Sequence, residues 1–219
     1  MKQILINASQ REELRLAIVE DNKLAELDID LPSKNIKSNI YKGTISRVEP
    51  SLEAAFVNFG RSRHGFLPFK EISPDIFTPG KQKSSRDCIE SGREIVVQID
   101  KEERGSKGAA LSTFLSLAGK YLVLLPKNPN TGGVSRRLEG NDRLVAKKLL
   151  SEMNIPDGMS VILRTSGLDT NKETLEWDMN YLIQIFESIL ESSVLKKAPF
   201  LIYEESSMLA RVIRDYTDE

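Results

Sequence analysis

Between residues 39 and 69 apolar and polar positions alternate in three short runs, each closed by glycine or proline. Residues 41–48 end at Glu49-Pro50, residues 54–59 stop at Gly60, and residues 63–67 stop at Pro68. Runs of this length and punctuation predict a small antiparallel sheet or barrel. Side chains alternate across a strand, so Ala55, Val57 and Phe59 share one face and read as core, while Ala54, Phe56 and Asn58 share the other. His64 and Phe66 also fall on one face, with Arg61 and Arg63 beside them. Two readings of Phe56 and Phe66 stand: ordinary core, or a platform on which unpaired bases stack. The amide, histidine and arginines around them favour the platform.

Elsewhere the periodicity changes. Residues 2–6, 14–19 and 23–29 read as strands, with Asp21-Asn22 as a tight turn; a helix capped by Ser9 and Glu12 competes for the same stretch. Asp28 and Asp30 share a strand face, an arrangement that suits either a metal ion or, the stronger reading, a solvated strand end before Pro32. Residues 33–38 are a polar linker, and 73–92 a loop whose segment 79–86 is basic. Residues 94–99 alternate strongly, 100–105 form a charged turn, and Lys107 opens the last strand of this region between two glycines. That spacing lets a phosphate or base approach the backbone closely; a solvated turn lysine is the competing reading. From 114 to 195 strands at 120–125, 133–138 and 159–164 alternate with two helices. Asn141 or Asp142 caps the first helix, and Thr170 with Glu173 fits a capping box for the second. Leu175, Met179, Leu182, Ile183, Phe186, Ile189 and Leu190 form an apolar stripe that reads as core, with Trp177 off it and available to cover the sheet.

Composition narrows the function. The 219 residues are 40% apolar and 29% charged, ordinary values for a globular protein. No run approaches the ~20 apolar residues that span a bilayer. One cysteine, Cys88, and one histidine, His64, exclude an internal disulfide and a Cys/His zinc site built from this chain alone, and fit a reducing cytoplasm. A net charge of −1 gives no global nucleic-acid signal, so any RNA contact must be local. One basic cluster exists: Lys120, Lys127, Arg136, Arg137, Arg143, Lys147 and Lys148 stand against Glu139 and Asp142. A solvated face is the usual meaning of such a bias. No Ser/His/Asp or Cys/His set is present. Arg164-Thr165-Ser166-Gly167 closes a strand with a guanidinium fork, hydroxyls and a flexible loop, a combination that suits a phosphate but is weak as a tetrapeptide alone.

The motifs NIYKGTISRVEPSLEAAFVNFG, RHGFLP, VQIDKEERGSKGAALST, SRRLEG and LRTSG resemble the amino-terminal half of the bacterial ribonuclease E/G family, and the likeness runs from ILINASQREELR to RVIRDY. The resemblance implies an α+β fold of several subdomains: the first part of a ribonuclease-H-like subdomain at 1–35, an inserted S1-type OB-fold β-barrel at 36–113, a 5′-sensor subdomain at 114–198, and the start of the second ribonuclease-H-like part at 199–219. It implies Phe56, Phe66 and Lys107 as RNA contacts. It further implies a 5′-monophosphate pocket in which Arg164 and Thr165 hold the phosphate, Gly119 and Val123 assist through backbone groups, and Arg136 and Arg137 lie nearby. Because those two arginines adjoin on a strand, at most one is expected to face the pocket. A compact pocket would accept a monophosphate and reject a larger triphosphate. The family's catalytic domain with its magnesium-binding aspartates, and the paired-cysteine zinc motif that joins subunits, are not matched here, so no catalytic residue and no cofactor is assigned to this chain. The implied partners are single-stranded RNA with a 5′-monophosphate, and either a homo-oligomer or the missing nuclease domain; DNA and membrane are not expected. Two further readings compete: a stand-alone, non-catalytic RNA-binding regulator, and a vestigial product with an exposed partial sheet.

Overall fold

The computed structural model describes residues 2–10, 13–30, 36–76, 89–205 and 214. The chain divides into two compact units, one of them residues 38–204 and the other holding the amino-terminal strands. In the latter, β1 (Lys2–Gln10), β2 (Glu13–Glu20) and β3 (Lys23–Asp30) form an antiparallel meander. Asp21 and Asn22 both have positive φ, 46° and 62°, as the expected two-residue turn requires. Ser9 lies inside β1, so the helical alternative is not taken. Leu16 and Ile18 of β2 are buried, with Ile4 and Leu14 packed against them.

In the larger unit, β4 (Ile40–Glu49), β5 (Ala54–Asn58), β6 (Gly65–Pro68), β7 (Glu94–Lys101) and β8 (Ala110–Ser112) run in the order β4-β5-β6-β8-β7, and β4 pairs again with β7 to close a barrel. Closure works because β4 is long. Its first half pairs with β7 through Ile40↔Gln98 to Thr44↔Glu94, and its second half with β5 through Thr44↔Asn58 to Glu49↔Ala54. Ala55, Val57 and Phe59 are buried as alternation predicts. Residues 79–86 and Cys88 lie outside the described residues.

The remaining strands are β9 (Leu117–Ala118), β10 (Leu122–Leu125), β11 (Gly133–Val134) and β12 (Ser160–Leu163), in a second sheet of order β11-β12-β10-β9. Helices α1 (Gly140–Ser151) and α2 (Lys172–Leu195) accompany it. The α2 stripe buries Leu175, Met179, Leu182, Phe186 and Ile189 in one cluster with Leu122, Leu124, Val161 and Leu163 of the sheet. Ile40 of the barrel joins the same cluster. The buried Gln98 amide binds the two sheets further: Nε2 donates to the carbonyls of Ser38 and Ser116, both at 2.9 Å, and Oε1 accepts the Ser116 N–H at 2.7 Å.

Three expectations about the helices change. Trp177 does not cover the sheet; it is 68% exposed and stacks on Tyr181, with ring centroids 6.0 Å apart. The cap of α2 is Asn171, whose side chain accepts the Thr174 N–H at 2.8 Å, because the Thr170 hydroxyl instead donates to the Gly167 carbonyl. The cap of α1 is Glu139, without a side-chain bond, and Asp142 sits in the first turn. The apolar run at 200–203 forms β13 (Phe200–Tyr203), which pairs antiparallel with β4 through Phe200↔Lys42 and Leu201↔Tyr41. Lys42 secures that approach: its Nζ bonds Glu94 at 2.6 Å and the Lys196 carbonyl at 2.8 Å, while Glu94 accepts the Ala198 N–H at 2.9 Å. The continuation expected over residues 208–213 falls outside the described residues.

Candidate nucleic-acid interface

Register across the barrel brings one row of residues together. Arg47 of β4 stands opposite Phe56 of β5, Phe56 opposite Phe66 of β6, and Phe66 opposite Ala110 of β8. Directly opposed residues share a face, so a cation and two aromatic rings line up across three neighbouring strands. The rings meet edge to face, centroids 5.9 Å apart at 66°, and the Arg47 guanidinium lies 4.8 Å from the Phe56 centroid. Both rings are half-buried, whereas Ala55, Val57 and Leu67 on the alternate positions are fully buried.

Two glycines allow a turn to close on this row. A Cβ at Gly65 would lie 2.4 Å from a methyl of Leu111, and one at Gly108 would lie 2.2 Å from the His64 carbonyl oxygen. The turn from Arg104 to Lys107 is held by reciprocal backbone hydrogen bonds of 3.1 Å, with Gly105 at φ +60°. The Arg63 guanidinium donates to the Gly105 carbonyl. Lys107 is exposed on that turn, and β8 begins only at Ala110. Arg63 and His64 lie in the loop before β6 rather than on the strand.

The second candidate site lies where β12 ends. Arg164 leaves the strand with its N–H donated to the Tyr121 carbonyl at 2.8 Å. Its guanidinium reaches back to the Gly119 and Lys120 carbonyls, and the Ser166 hydroxyl donates to the Lys120 carbonyl at 2.6 Å. Thr165 is exposed and starts a single 3-10 turn that ends at Gly167. Gly167 has no room for a side chain: a Cβ there would meet Leu163 at 2.7 Å and the Tyr121 carbonyl at 3.1 Å. From the other side Asp178 of α2, 2% exposed, accepts the backbone N–H groups of Lys120, Tyr121 and Leu122 at 3.2, 2.9 and 2.9 Å. The 119–122 segment is thus clamped between a guanidinium on its carbonyls and a carboxylate on its amides. The Gly119 N–H donates to the Leu122 carbonyl at 2.8 Å, and Val123 is half-buried in β10 between Ala118 and Ile162.

Arg136 and Arg137 are not on a strand. β11 stops at Val134; the Ser135 N–H bonds the Leu163 carbonyl, and the chain then turns, with Leu138 N–H to the Ser135 carbonyl at 3.1 Å and Arg137 N–H to the Ser135 hydroxyl at 3.3 Å. Both arginines are exposed, and strand alternation does not limit which way they face.

Sequence reading missed Arg47 and Asp178. Plain alternation from Tyr41 puts Arg47 on the buried side with Ile45; the register shift between Ile45 and Arg47 carries it opposite Phe56 instead. Asp178 left a legible signal, a carboxylate set within the apolar stripe between Leu175 and Leu182. Among the described residues no group of three or more His, Cys, Asp or Glu is placed to hold a metal ion, and no helix is long and apolar enough to cross a membrane.

Comparison with known proteins agrees with this layout. Residues 34–114 match the S1 RNA binding domain and residues 116–219 match the Ribonuclease E/G family. Over 99% of its length the chain is 52% identical to ribonuclease E of Haemophilus influenzae and 51% identical to ribonuclease E of Escherichia coli, covering 24% and 21% of those proteins. It is 32% identical to ribonuclease G of Escherichia coli, of which it covers 45%. The chain therefore spans about a quarter of the ribonuclease E relatives and under half of ribonuclease G. An S1 RNA-binding barrel followed directly by the ribonuclease E/G region, at this identity and in this order, places the chain in the ribonuclease E/G family.

Proposed function

We propose that this chain is the RNA-binding and 5′-end-sensing portion of a ribonuclease E/G-type endoribonuclease that acts on single-stranded RNA in mRNA decay and rRNA and tRNA maturation in the cytoplasm. Phe56 and Phe66 stack bases, Arg47 and Lys107 pair with the backbone, and the strand end at Arg164 and Thr165 receives a 5′-monophosphate. The observation that carries the first half is the row Arg47–Phe56–Phe66 across β4, β5 and β6. Stacking needs a ring that is fixed but not covered, and half-burial beside a cation meets that need.

The sensing half rests on the clamp around residues 119–122. Preorganisation lowers the cost of gripping a compact dianion, and Arg164, whose Nη1 is anchored on backbone carbonyls, is already fixed in place. Gly119 and Val123 shape the pocket wall, and Arg136 and Arg137 add positive potential at its rim. Cleavage belongs to the remainder of a longer protein, which would also carry the family's magnesium and zinc and either supply the nuclease domain or form the homo-oligomer. This chain binds RNA without cutting it. Binding of an oligouridine by the wild type and by Phe56→Ala, Phe66→Ala and Lys107→Ala, read by fluorescence anisotropy at fixed salt, tests the platform. Wild-type affinity in all three variants would refute it.

A further inference from the structure

His64 is held in a way that the stacking platform does not require. The Ser46 hydroxyl donates its one proton to the Phe56 carbonyl at 3.0 Å, so it can only accept from His64 Nδ1, 2.9 Å away. That fixes the imidazole with a proton on Nδ1, directs its Nε2 away from Ser46, and ties the ring to the strand that carries Phe56. Ser46 is the extra residue at the β4 irregularity, so the device that brings Arg47 opposite Phe56 also creates the histidine's mount. The His64 carbonyl touches Gly108, which sets the Lys107 turn against the same segment, and Arg63 donates to Gly105 within that turn.

We propose that His64 is a proton-linked phosphate contact: the imidazolium, held through Nδ1 by Ser46, donates from Nε2 to a backbone phosphate of the RNA whose bases stack on Phe56 and Phe66. The charged side chains on the elements around the ring are Lys42, Arg47 and Glu49 on β4, Arg61 and Arg63 on its own loop, and Glu102, Glu103, Arg104 and Lys107 on the adjoining turn; β5 and β6 carry none. Arg47 lies 4.0 Å from Glu49, which also accepts the Ser51 hydroxyl. A phosphate seated at Nε2 favours the imidazolium, so RNA binding takes up a proton. The sign follows: a complex that holds more protons than the free chain gains affinity as pH falls. Loss of the proton at high pH leaves Nε2 an acceptor, which repels the phosphate oxygen.

The inference rests on the proposed platform, and its test separates the two. Affinity for an oligouridine about ten nucleotides long, within the site sizes of such barrels, is measured between pH 6 and pH 8 at fixed ionic strength. The RNA carries a 5′-hydroxyl, so neither its bases nor a terminal phosphate titrate in this window. Wild type is expected to bind about five- to tenfold more tightly at pH 6 than at pH 8, as for one charge-assisted contact, and His64→Gln to show a flat profile. Because His64 is the sole histidine, its ring can also be followed by NMR. Its titration midpoint should rise when RNA is added, and rise less in Ser46→Ala. An equal pH slope in wild type and His64→Gln, or a midpoint unmoved by RNA, overturns the proposal even where Phe56→Ala weakens binding at every pH. No loss of affinity in Phe56→Ala overturns the platform, and this contact with it.

Discussion

Gly119 and Asp178 are packed so closely that a single methyl at position 119 would lie 2.5 Å from the Asp178 carboxylate. The glycine is there because a carboxylate from α2 must reach three consecutive amides, and only a residue without Cβ lets it pass. Gly119→Ala is expected to push the 119–122 segment off its clamp. Asp178→Ala strands three N–H donors in a buried site and should destabilise by about 3 kcal/mol or more, at ~1–3 kcal/mol per unsatisfied group with partial relaxation. Urea denaturation of both variants checks this, and a midpoint equal to wild type would show that the clamp contributes nothing.

Arg47 extends the aromatic row by a cation, so its removal should cost RNA affinity in two separable ways. Arg47→Ala is expected to weaken oligouridine binding about fivefold and to reduce the slope of log K against log salt by about 0.7, the value for one phosphate contact on a single strand. Phe56→Ala should cost about 1–3 kcal/mol with the salt slope unchanged. Affinity measured across a salt series distinguishes a lost charge from a lost ring.

At the start of α2 the two candidate caps behave differently. Asn171→Ala removes the bond to the Thr174 amide and should cost about 1 kcal/mol. Thr170→Ala loses only a hydroxyl bond to Gly167 and should cost about half as much. Thermal midpoints of the two variants rank them; a larger loss for Thr170→Ala would reverse the assignment.

Much of this was readable from pattern. Alternation located every barrel strand, and Asp21-Asn22 fixed the first hairpin because both positions need positive φ. What pattern could not give was register. One extra residue at Ser46 changes Arg47 from a core-side position to a neighbour of Phe56, and nothing local marks it. The span 133–138 looked like one strand because Ser135 and the two arginines alternate acceptably, yet the Ser135 hydroxyl takes the Arg137 amide and starts a turn. Residues 200–203 carry an apolar run that fits any sheet edge. Their pairing with β4 is decided by Lys42 and Glu94, which bond each other and reach the backbone at 196–198, more than a hundred residues further along the sequence. A ring as large as that of Trp177 invites burial, whereas its partner is the exposed Tyr181 one turn along α2.

Asp75 and Lys127 form an ion pair at 2.6 Å between the loop after β6 and the turn after β10. Partial burial pushes the Asp75 carboxyl up, but hydrogen bonds to Lys127 and Ser73 and the Lys127 charge outweigh it and hold it below its ordinary 3.8. A depressed folded value means the pair stabilises above the unfolded pKa and stops doing so as pH falls through the lower, folded one. Both side chains are nearly half exposed, so Asp75→Asn should lower stability at pH 7 by under about 1 kcal/mol. The difference from wild type should vanish below the carboxylate range, near pH 2. A constant difference down to that pH would mean the charge is not what matters.

The proposed function puts a base-stacking platform and a receptor for a 5′-monophosphate in one chain. The most direct test compares a short A/U-rich RNA bearing a 5′-monophosphate with the same RNA bearing a 5′-hydroxyl, by anisotropy at fixed salt and pH, on wild type, Arg164→Ala and Thr165→Val. Wild type is expected to bind the monophosphate about tenfold more tightly, as for one charge-assisted phosphate site. Both variants should lose that preference while their affinity for the hydroxyl end stays near wild type. Equal wild-type affinity for the two ends, or a preference that survives Arg164→Ala, would contradict the proposed function.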